Sequence, residues 1–371
     1  MTLAAALADV LKPVLGDSVT VTGLTRLSAG ASRETWAFEA DGRALVLRRD
    51  PPAVPDPLGM RREAECFRAA AAAGVPIPAL LAAGADDAIG SPYLLMERIE
   101  GETLPQRLLR EERWAAVRPR LPRLFGEILG RIHGIDPAAV PSLEHVPDRL
   151  GALVERHAGF GEARPALELV FRWLREHRPE PVAPAVVHGD FRNGNILVDD
   201  TGPAAVLDWE LAHVGDPRED LGWMCARAWR FGAEPAVGGF GAREELFAGY
   251  EAATGLRPDP AAVHWWEVFA CAQWAVICRI QSERHLGGTE PSVEMAVLGR
   301  RIAEAEHDAL LALGLTEPVR VEDPVHTPAP PAETPLYDRP TVDELLAAVT
   351  GFLRNELETE DPRTAYLAKV A

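Results

Sequence analysis

Val186-Val187-His188-Gly189-Asp190-Phe191-Arg192-Asn193-Gly194-Asn195-Ile196-Leu197-Val198 is the stretch whose reading decides the fold of this chain. An aspartate is followed five positions later by an asparagine, and the asparagine opens a short apolar strand. Asp199-Asp200-Thr201-Gly202-Pro203 supplies turn chemistry, Ala204 to Leu207 the returning strand, and Asp208-Trp209-Glu210 its end. Such a hairpin sets Asn195 and Asp208 side by side. Together they offer one oxygen ligand from each arm to a hard divalent cation bound to nucleotide phosphates. Asp190 stands one loop away, placed to accept a hydroxyl proton.

Upstream of this stretch the pattern is sheet plus one helix. Leu3 to Leu15 is helix-periodic; Thr20 to Leu24, Thr35 to Glu39 and Leu45 to Arg49 read as strands, the last after the Asp41-Gly42 turn signal. Arg61 to Ala73 predicts a helix stopped by Gly74 and Pro76-Ile77-Pro78, and Tyr93 to Arg98 a further strand before Gly101. From Thr103 onward the periodicity is helical: 120–133, 150–159, 166–177, 220–231, 243–254, 261–284 and 293–313. Seven prolines between Glu317 and Pro340 favour extended chain and predict a linker. Beyond it, Thr341 with Glu344 three residues later is a capping box that opens an amphipathic helix to about Leu357.

Composition narrows the classes. The 371 residues are 47% hydrophobic and 25% charged, as in globular proteins, which excludes wholesale disorder and fibrous architecture. A formal charge of −18, with no basic block, argues against nucleic-acid and anionic-membrane partners. Lys12 and Lys369 are the only lysines, so chemistry that elsewhere uses lysine falls to arginine. Four scattered cysteines form no C-x-x-C pair and read as small buried hydrophobes in a reducing compartment; with no apolar run of about 20 residues, a cytoplasmic protein is expected. The ten histidines form no H-E-x-x-H set and are given no metal role.

The order His188-x-Asp190, Asn195, then Asp208 is the spacing of a kinase catalytic loop. With His-Gly-Asp and Asp-Trp-Glu at its ends, it resembles the aminoglycoside phosphotransferase-like (choline-kinase-type) family of small-molecule kinases. The resemblance implies an α+β, two-lobed protein-kinase-like fold: an antiparallel-sheet N-lobe over 1–101 and a mainly helical C-lobe over 102–316, followed by the linker over 317–340 and a C-terminal helical segment over 341–371. It implies ATP and Mg2+ as cofactors and a small-molecule hydroxyl as acceptor. Asp190 becomes the catalytic base, Asn195 and Asp208 the Mg2+ ligands, and Arg192 a cation that offsets charge on the transferred phosphoryl group. His188 braces the loop, and Glu210 is either a third acid of the metal shell or a structural acceptor.

The same resemblance extends over the first hundred residues. Leu27 to Trp36 lies where kinases place the loop that covers the nucleotide, and its small residues Ser28, Gly30 and Ser32 let backbone N–H groups approach phosphates. Arg48 stands where the third strand of a kinase carries lysine, a departure from the general pattern, and its fork can still grip phosphate while Arg49 points to the other face. Glu63 is its expected partner, with Glu65 the alternative. Main-chain groups from Glu97 to Ile99 resemble the hinge that reads adenine. Ser-Arg-Glu-Thr-Trp at 32–36, Leu-Arg-Arg-Asp-Pro at 47–51 and Asp-Trp-Glu are most similar to the kinase domains associated with acyl-CoA dehydrogenases, which implies a hydroxyacyl-CoA acceptor. An aminoglycoside or macrolide kinase, and an inactive nucleotide-binding scaffold, are the alternatives. Asp216-Pro217-Arg218-Glu219 reads as a helix start with Asp216 as N-cap, Asp220 is given no catalytic role, and Trp223, Trp229, Trp265, Trp266 and Trp274 read as core.

Overall fold

Residues 2–29, 33–85, 89–289, 292–318 and 340–355 are described by the structure, a computed structural model. The chain opens with α1 (Leu3–Leu15) and three antiparallel strands, β1 (Val21–Ala29), β2 (Glu34–Ala40) and β3 (Arg43–Arg49). Next come α2 (Pro57–Ala72), β4 (Leu80–Gly84), β5 (Tyr93–Glu97) and the short α3 (Pro105–Arg110). The five strands form one sheet in the order β1-β2-β3-β5-β4. Asp41 and Gly42, both at positive φ, make the two-residue turn between β2 and β3, which sets the register Ala40 to Arg43 and Trp36 to Leu47.

Strand alternation sorts the side chains of this sheet. Leu45 and Leu47 of β3, with Tyr93 and Leu95 of β5, bury against Ala6, Leu7 and Leu11 of α1. Leu94 and Met96 project to the opposite face and pack with Met60, Phe67 and Ala70 of α2. Val46 and Arg48 share that face by the two-residue period, so the fold delivers Arg48 toward α2 and leaves Arg49 on the α1 side. There Arg49 donates to Glu34 at 2.8 Å and to the Ile89 carbonyl at 2.8 Å.

The remaining elements are α4 (Leu121–His133), α5 (Arg149–Ala158), α6 (Pro165–Glu176), β6 (Ala185–Val187), β7 (Ile196–Asp199), β8 (Gly202–Val206), β9 (His213–Gly215), α7 (Arg218–Cys225), α8 (Arg243–Thr254), α9 (Pro260–Leu286), α10 (Val293–Arg300), α11 (Ile302–Ala312) and α12 (Val342–Asn355). The chain forms two compact units, 1–147 with 179–266, and 148–178 with 267–371. The first holds the nine strands of the described residues and a core that runs from α2 through α4 to the buried Phe191, Trp209 and Phe240. In the second, α6 packs on α5 and α11, and α10 on α11 and α12. All four cysteines are buried thiols; burial pushes those of Cys66 and Cys278 up to about 12, which leaves them inert.

Several expectations are corrected. β4 was not anticipated: Leu-Leu-Ala-Ala-Gly has no β-branched residue, and edge pairing with β5 makes it a strand. The helix expected over 220–231 ends at Cys225 because Ala226 is extended (ψ 141°), and a 3-10 turn follows over Arg227–Arg230. The helix expected over 293–313 divides at Arg301 into α10 and α11. Asp216 sits one residue before the N-cap, accepting from the Arg218 N–H at 2.9 Å, while Glu219 turns to His213 at 3.2 Å, so no capping box forms there. At α12 the box is present: Thr341 N donates to Glu344 Oε2 at 2.6 Å and Glu344 N to Thr341 Oγ1 at 3.3 Å. Residues 319–339 of the expected linker and 356–371 of the C-terminal segment lie outside the described residues. Among the described residues no helix is long and apolar enough to cross a membrane.

α4 packs closely on α8, where Gly126 and Gly249 let backbones touch: a Cβ at Gly126 would overlap the Leu246 carbonyl oxygen, and one at Gly249 the Arg123 carbonyl oxygen. Rigid backbone cannot yield as a side-chain tip can. Gly126→Ala is therefore expected to lower unfolding stability by about 3 kcal/mol, read as a lower urea midpoint; an unchanged midpoint would show that the two helices separate without cost.

Candidate active site

Glu63, on α2, is fully buried, and a carboxylate there is tolerable only with cationic partners. It has two. Arg33 reaches it from just before β2 and also holds Asp50 at 3.0 Å; Arg48 donates from β3 through Nη1 at 3.2 Å. Arg48 then spans to the hairpin, with Nη2 2.5 Å from Asp208 Oδ1 and 3.8 Å from Glu210 Oε2. Burial alone would lower the Arg48 pKa; Glu63, Asp208 and Glu210 outweigh it, and the guanidinium is held above its ordinary value. Burial likewise opposes ionisation of Asp208, but Arg48 outweighs it and the carboxyl sits below its usual range. Carboxylate oxygens of Glu63, Asp208 and Glu210 lie within 4.8 Å of one another.

The hairpin is β7 and β8. Its register, Ile196 to Val206 and Leu197 to Ala205, brings Asn195 beside Leu207, whose N–H donates to the Asn195 carbonyl at 2.8 Å. Asp208 follows in the left-handed region (φ 65°), a conformation that costs about 1–3 kcal/mol outside glycine and gathers at functional sites. Asn195 Nδ2 donates to Asp190 Oδ2 at 2.6 Å and to the Asp190 carbonyl at 3.0 Å, which leaves Oδ1 as the amide atom that could ligate a cation. Asp190 Oδ1 accepts from Arg192 Nε at 2.9 Å and from the Trp223 indole N–H at 2.8 Å. Burial dominates the Asp190 carboxyl and pushes its pKa up, although Arg192 and His188 pull the other way.

The loop itself is pinned from below by Asp220, on α7 and fully buried. Its carboxylate accepts the N–H groups of His188 at 2.8 Å and Gly189 at 2.9 Å, and it meets His133 Nε2 at 3.1 Å. Burial opposes its charge, but His133 and these backbone donors prevail and its pKa is lowered. Gly189 is required at this turn: it has φ +81°, and a Cβ would overlap the Leu211 carbonyl oxygen. His188 ties loop to hairpin, its Nδ1 accepting from the Asp190 N–H at 3.2 Å and its Nε2 donating to the Leu207 carbonyl at 3.1 Å.

Arg48, Asn195, Asp208 and Glu210 border a cavity of about 500 Å³. Val46, Phe67, Pro78, Met96, Leu197 and Leu207 give it apolar walls, Glu97, Arg98 and Ile99 form one side, and Arg33, Arg48, Asn195, Asp208 and Glu210 its polar end. Of the residues singled out from sequence, Arg48, Glu97, Ile99, Asn195 and Asp208 line this cavity; Glu63 and Asp190 lie outside its lining and bond to Arg48 and Asn195, and Arg192 bonds to Asp190. Glu65, the alternative partner for Arg48, instead accepts from Ser142 N and Oγ, both at 3.0 Å. Gly30 and Ser32 lie outside the described residues, as does the side chain of Ser28. Arg33, Asp220 and Trp223 were not assigned to the site from sequence. Arg33 stands inside the 32–36 run as its one cation; the two α7 residues carry no pattern that separates them from helix core.

A model of the family described as "Phosphotransferase enzyme family" matches residues 23–266. Acyl-CoA dehydrogenase family member 10 of Mus musculus is 32% identical over 254 residues, 63% of this chain and 23% of that protein. Family member 11 of Gallus gallus is 29% identical over 53% of this chain and 27% of its own length, so the chain spans about a quarter of these relatives. Hygromycin-B 4-O-kinase of Escherichia coli is 25% identical over 54% of this chain and 61% of that enzyme. Among solved structures, a candidate aminoglycoside phosphotransferase from Ralstonia eutropha superposes with TM-score 0.68 at 23% identity, covering 85% of this chain and 99% of that one. The aminoglycoside phosphotransferase crystallised with AMP-PNP and hygromycin B gives 0.56 at 18% identity over 83% and 98%. These two likenesses show the kinase-like fold.

Asp220 holds the loop by charge, and its folded-state pKa lies below the ordinary 3.8. Its contribution to stability is therefore present above about pH 4 and lost as the pH falls through the lowered value. Asp220→Asn is expected to lose about 3 kcal/mol at neutral pH, with the gap to the parent narrowing below pH 4. A pH-independent gap in urea titrations would contradict this.

Proposed function

The chain belongs to the phosphotransferase enzyme family, and on that premise we propose that it moves the γ-phosphoryl group of ATP to a hydroxyl of a small molecule, a hydroxyacyl-CoA. The observation that carries the reading is the meeting, at one cavity, of Arg48 from the sheet, paired behind it with Glu63 of α2, and Asn195 and Asp208 from the hairpin. In this reading the base lies between the apolar walls with its edge toward the main chain of Glu97 to Ile99. Arg48, oriented by Glu63, grips the phosphates, exchanging its bond to Asp208 for phosphate oxygen while Nη1 stays on Glu63.

The donor set suits a hard divalent ion: the free amide oxygen of Asn195, the ionised Asp208, and the Glu210 carboxylate within reach of both Asp208 and Glu63. Mg2+, when bound, would neutralise charge on the phosphates and align them. Asp190 orients the acceptor hydroxyl and takes its proton as the oxygen bonds to the γ-phosphorus and the bond to the ADP oxygen breaks; its burial raises its proton affinity, as a base requires. Arg192, held on the Asp190 carboxylate, offsets charge that builds on the phosphoryl oxygens.

The acceptor class rests on the acyl-CoA dehydrogenase relatives, one of them more similar to this chain than the hygromycin kinase is. An aminoglycoside is the second reading, supported by that kinase and by a net charge of −18 that suits a cationic acceptor. Assayed with Mg-ATP, a 3-hydroxyacyl-CoA is expected to be phosphorylated, and Asp190→Asn to lose at least about 100-fold in kcat. Phosphorylation of hygromycin B in its place would move the acceptor to the second reading. Nucleotide binding without transfer to either would leave a scaffold, for which the arginine at position 48 is the sequence support.

A further inference from the structure

We propose that Trp223 and Trp229 form a bed that positions the reacting pair, the indole N–H of Trp223 fixing the Asp190 carboxylate and the ring face of Trp229 fixing the Arg192 guanidinium. This deepens the proposed phosphotransfer and rests on it. Both rings are buried, at 2% and 4% exposure, with centroids 5.2 Å apart and planes inclined by 47°. Trp223 Nε1 lies 2.8 Å from Asp190 Oδ1, and the Arg192 guanidinium carbon lies 4.5 Å from the Trp229 ring centroid. Asn193, the residue after Arg192 in the loop, donates Nδ2 to the Trp229 carbonyl at 3.1 Å and to the Gly238 carbonyl at 2.5 Å. Asp190, Arg192 and Asn193 thus all bond to or stack on this one segment.

The chain geometry that makes the bed is the break after α7. On an unbroken helix, residues six apart point about 120° away from each other and could not share one face. The extended Ala226 ends α7 at Cys225, and the 3-10 turn over Arg227–Arg230 swings Trp229 back beside Trp223. The two contacts do different work. An indole N–H aimed at Oδ1 adds to Arg192 on the same oxygen and fixes the rotation of the carboxylate, leaving Oδ2, held by the Asn195 amide, turned to the acceptor side. The buried Trp229 face gives Arg192 a fixed plane, so its charge is preorganised before phosphate arrives.

A base that can rotate, or an arginine that can leave, would still allow nucleotide binding but would slow the chemical step. Trp223→Phe keeps the ring and removes the donor; Trp229→Phe keeps a π face and Trp229→Leu removes it. Trp114→Phe, a buried ring that bonds to neither Asp190 nor Arg192, serves as the packing control.

With Mg-ATP and the acceptor that the parent phosphorylates, kcat is expected to fall about tenfold in Trp223→Phe and in Trp229→Leu, with KM for ATP within twofold of the parent. Trp229→Phe recovers most of the rate, and Trp114→Phe leaves kcat unchanged. Equal losses in all four variants, or losses in KM alone, would overturn the bed as a positioning device. The assignment is also read without turnover, from 15N spectra of the indole N–H groups recorded with Mg2+ and AMP-PNP. The Trp223 resonance, identified by its loss in Trp223→Phe, is expected to move upfield in Asp190→Asn, because the charged acceptor is gone. A resonance unmoved by Asp190→Asn overturns the contact. A moved resonance beside a parent that transfers no phosphoryl group upholds the bed and counts against the phosphotransfer reading instead.

Discussion

A carboxylate with no exposure to water must be answered by charge, and the site follows from how Glu63 is answered. Two arginines reach it, Arg33 from the strand entry and Arg48 from β3, and the second extends to Asp208 on the hairpin. One guanidinium thereby links the helix, the sheet and the hairpin that carries Asn195. An arginine manages this where a lysine would not, because its fork presents separate N–H groups to Glu63 and to Asp208 at once. In a chain with two lysines, both distant in sequence from this strand, the substitution at position 48 is chemically consistent. The same fork that closes the site on Asp208 is the one that phosphate oxygens would take over.

The loop is fixed by a second buried acid. Asp220 places its negative charge under the His188 and Gly189 amides, so the turn that presents Asp190 is held by backbone donors and tolerates no side chain at Gly189. Above it, desolvation raises the proton affinity of Asp190, while three donors pull the other way and restrict its motion. Rigidity below and a tuned carboxyl above are what transfer to a weakly acidic hydroxyl asks of a protein that supplies positioning more than covalent chemistry.

Much of this was legible in the sequence where the signal was local. α1 and α8 declare themselves by apolar period and by glycines at 16 and 255, and the Asp41-Gly42 turn sets the β2–β3 register. Asn195 and Asp208 were legible because a short hairpin has one sensible register. β4 was not, since Leu-Leu-Ala-Ala-Gly becomes a strand only by lying along β5. Nor was the break at Ala226, because nothing in Cys-Ala-Arg forbids a helix. Asp220 and Trp223 act on groups more than thirty residues earlier in the chain, and Arg33 reaches Glu63 thirty residues later, distances over which a single sequence leaves no pattern.

The proposed transfer requires a metal–nucleotide complex held between Arg48 on one side and Asn195 with Asp208 on the other. Calorimetric titration of AMP-PNP, with and without Mg2+, into the parent and into Asp208→Asn tests this most directly. The account predicts that Mg2+ tightens binding to the parent and that this gain disappears in Asp208→Asn. Binding of equal strength with and without Mg2+ in the parent, or a metal gain that survives in the variant, would contradict it.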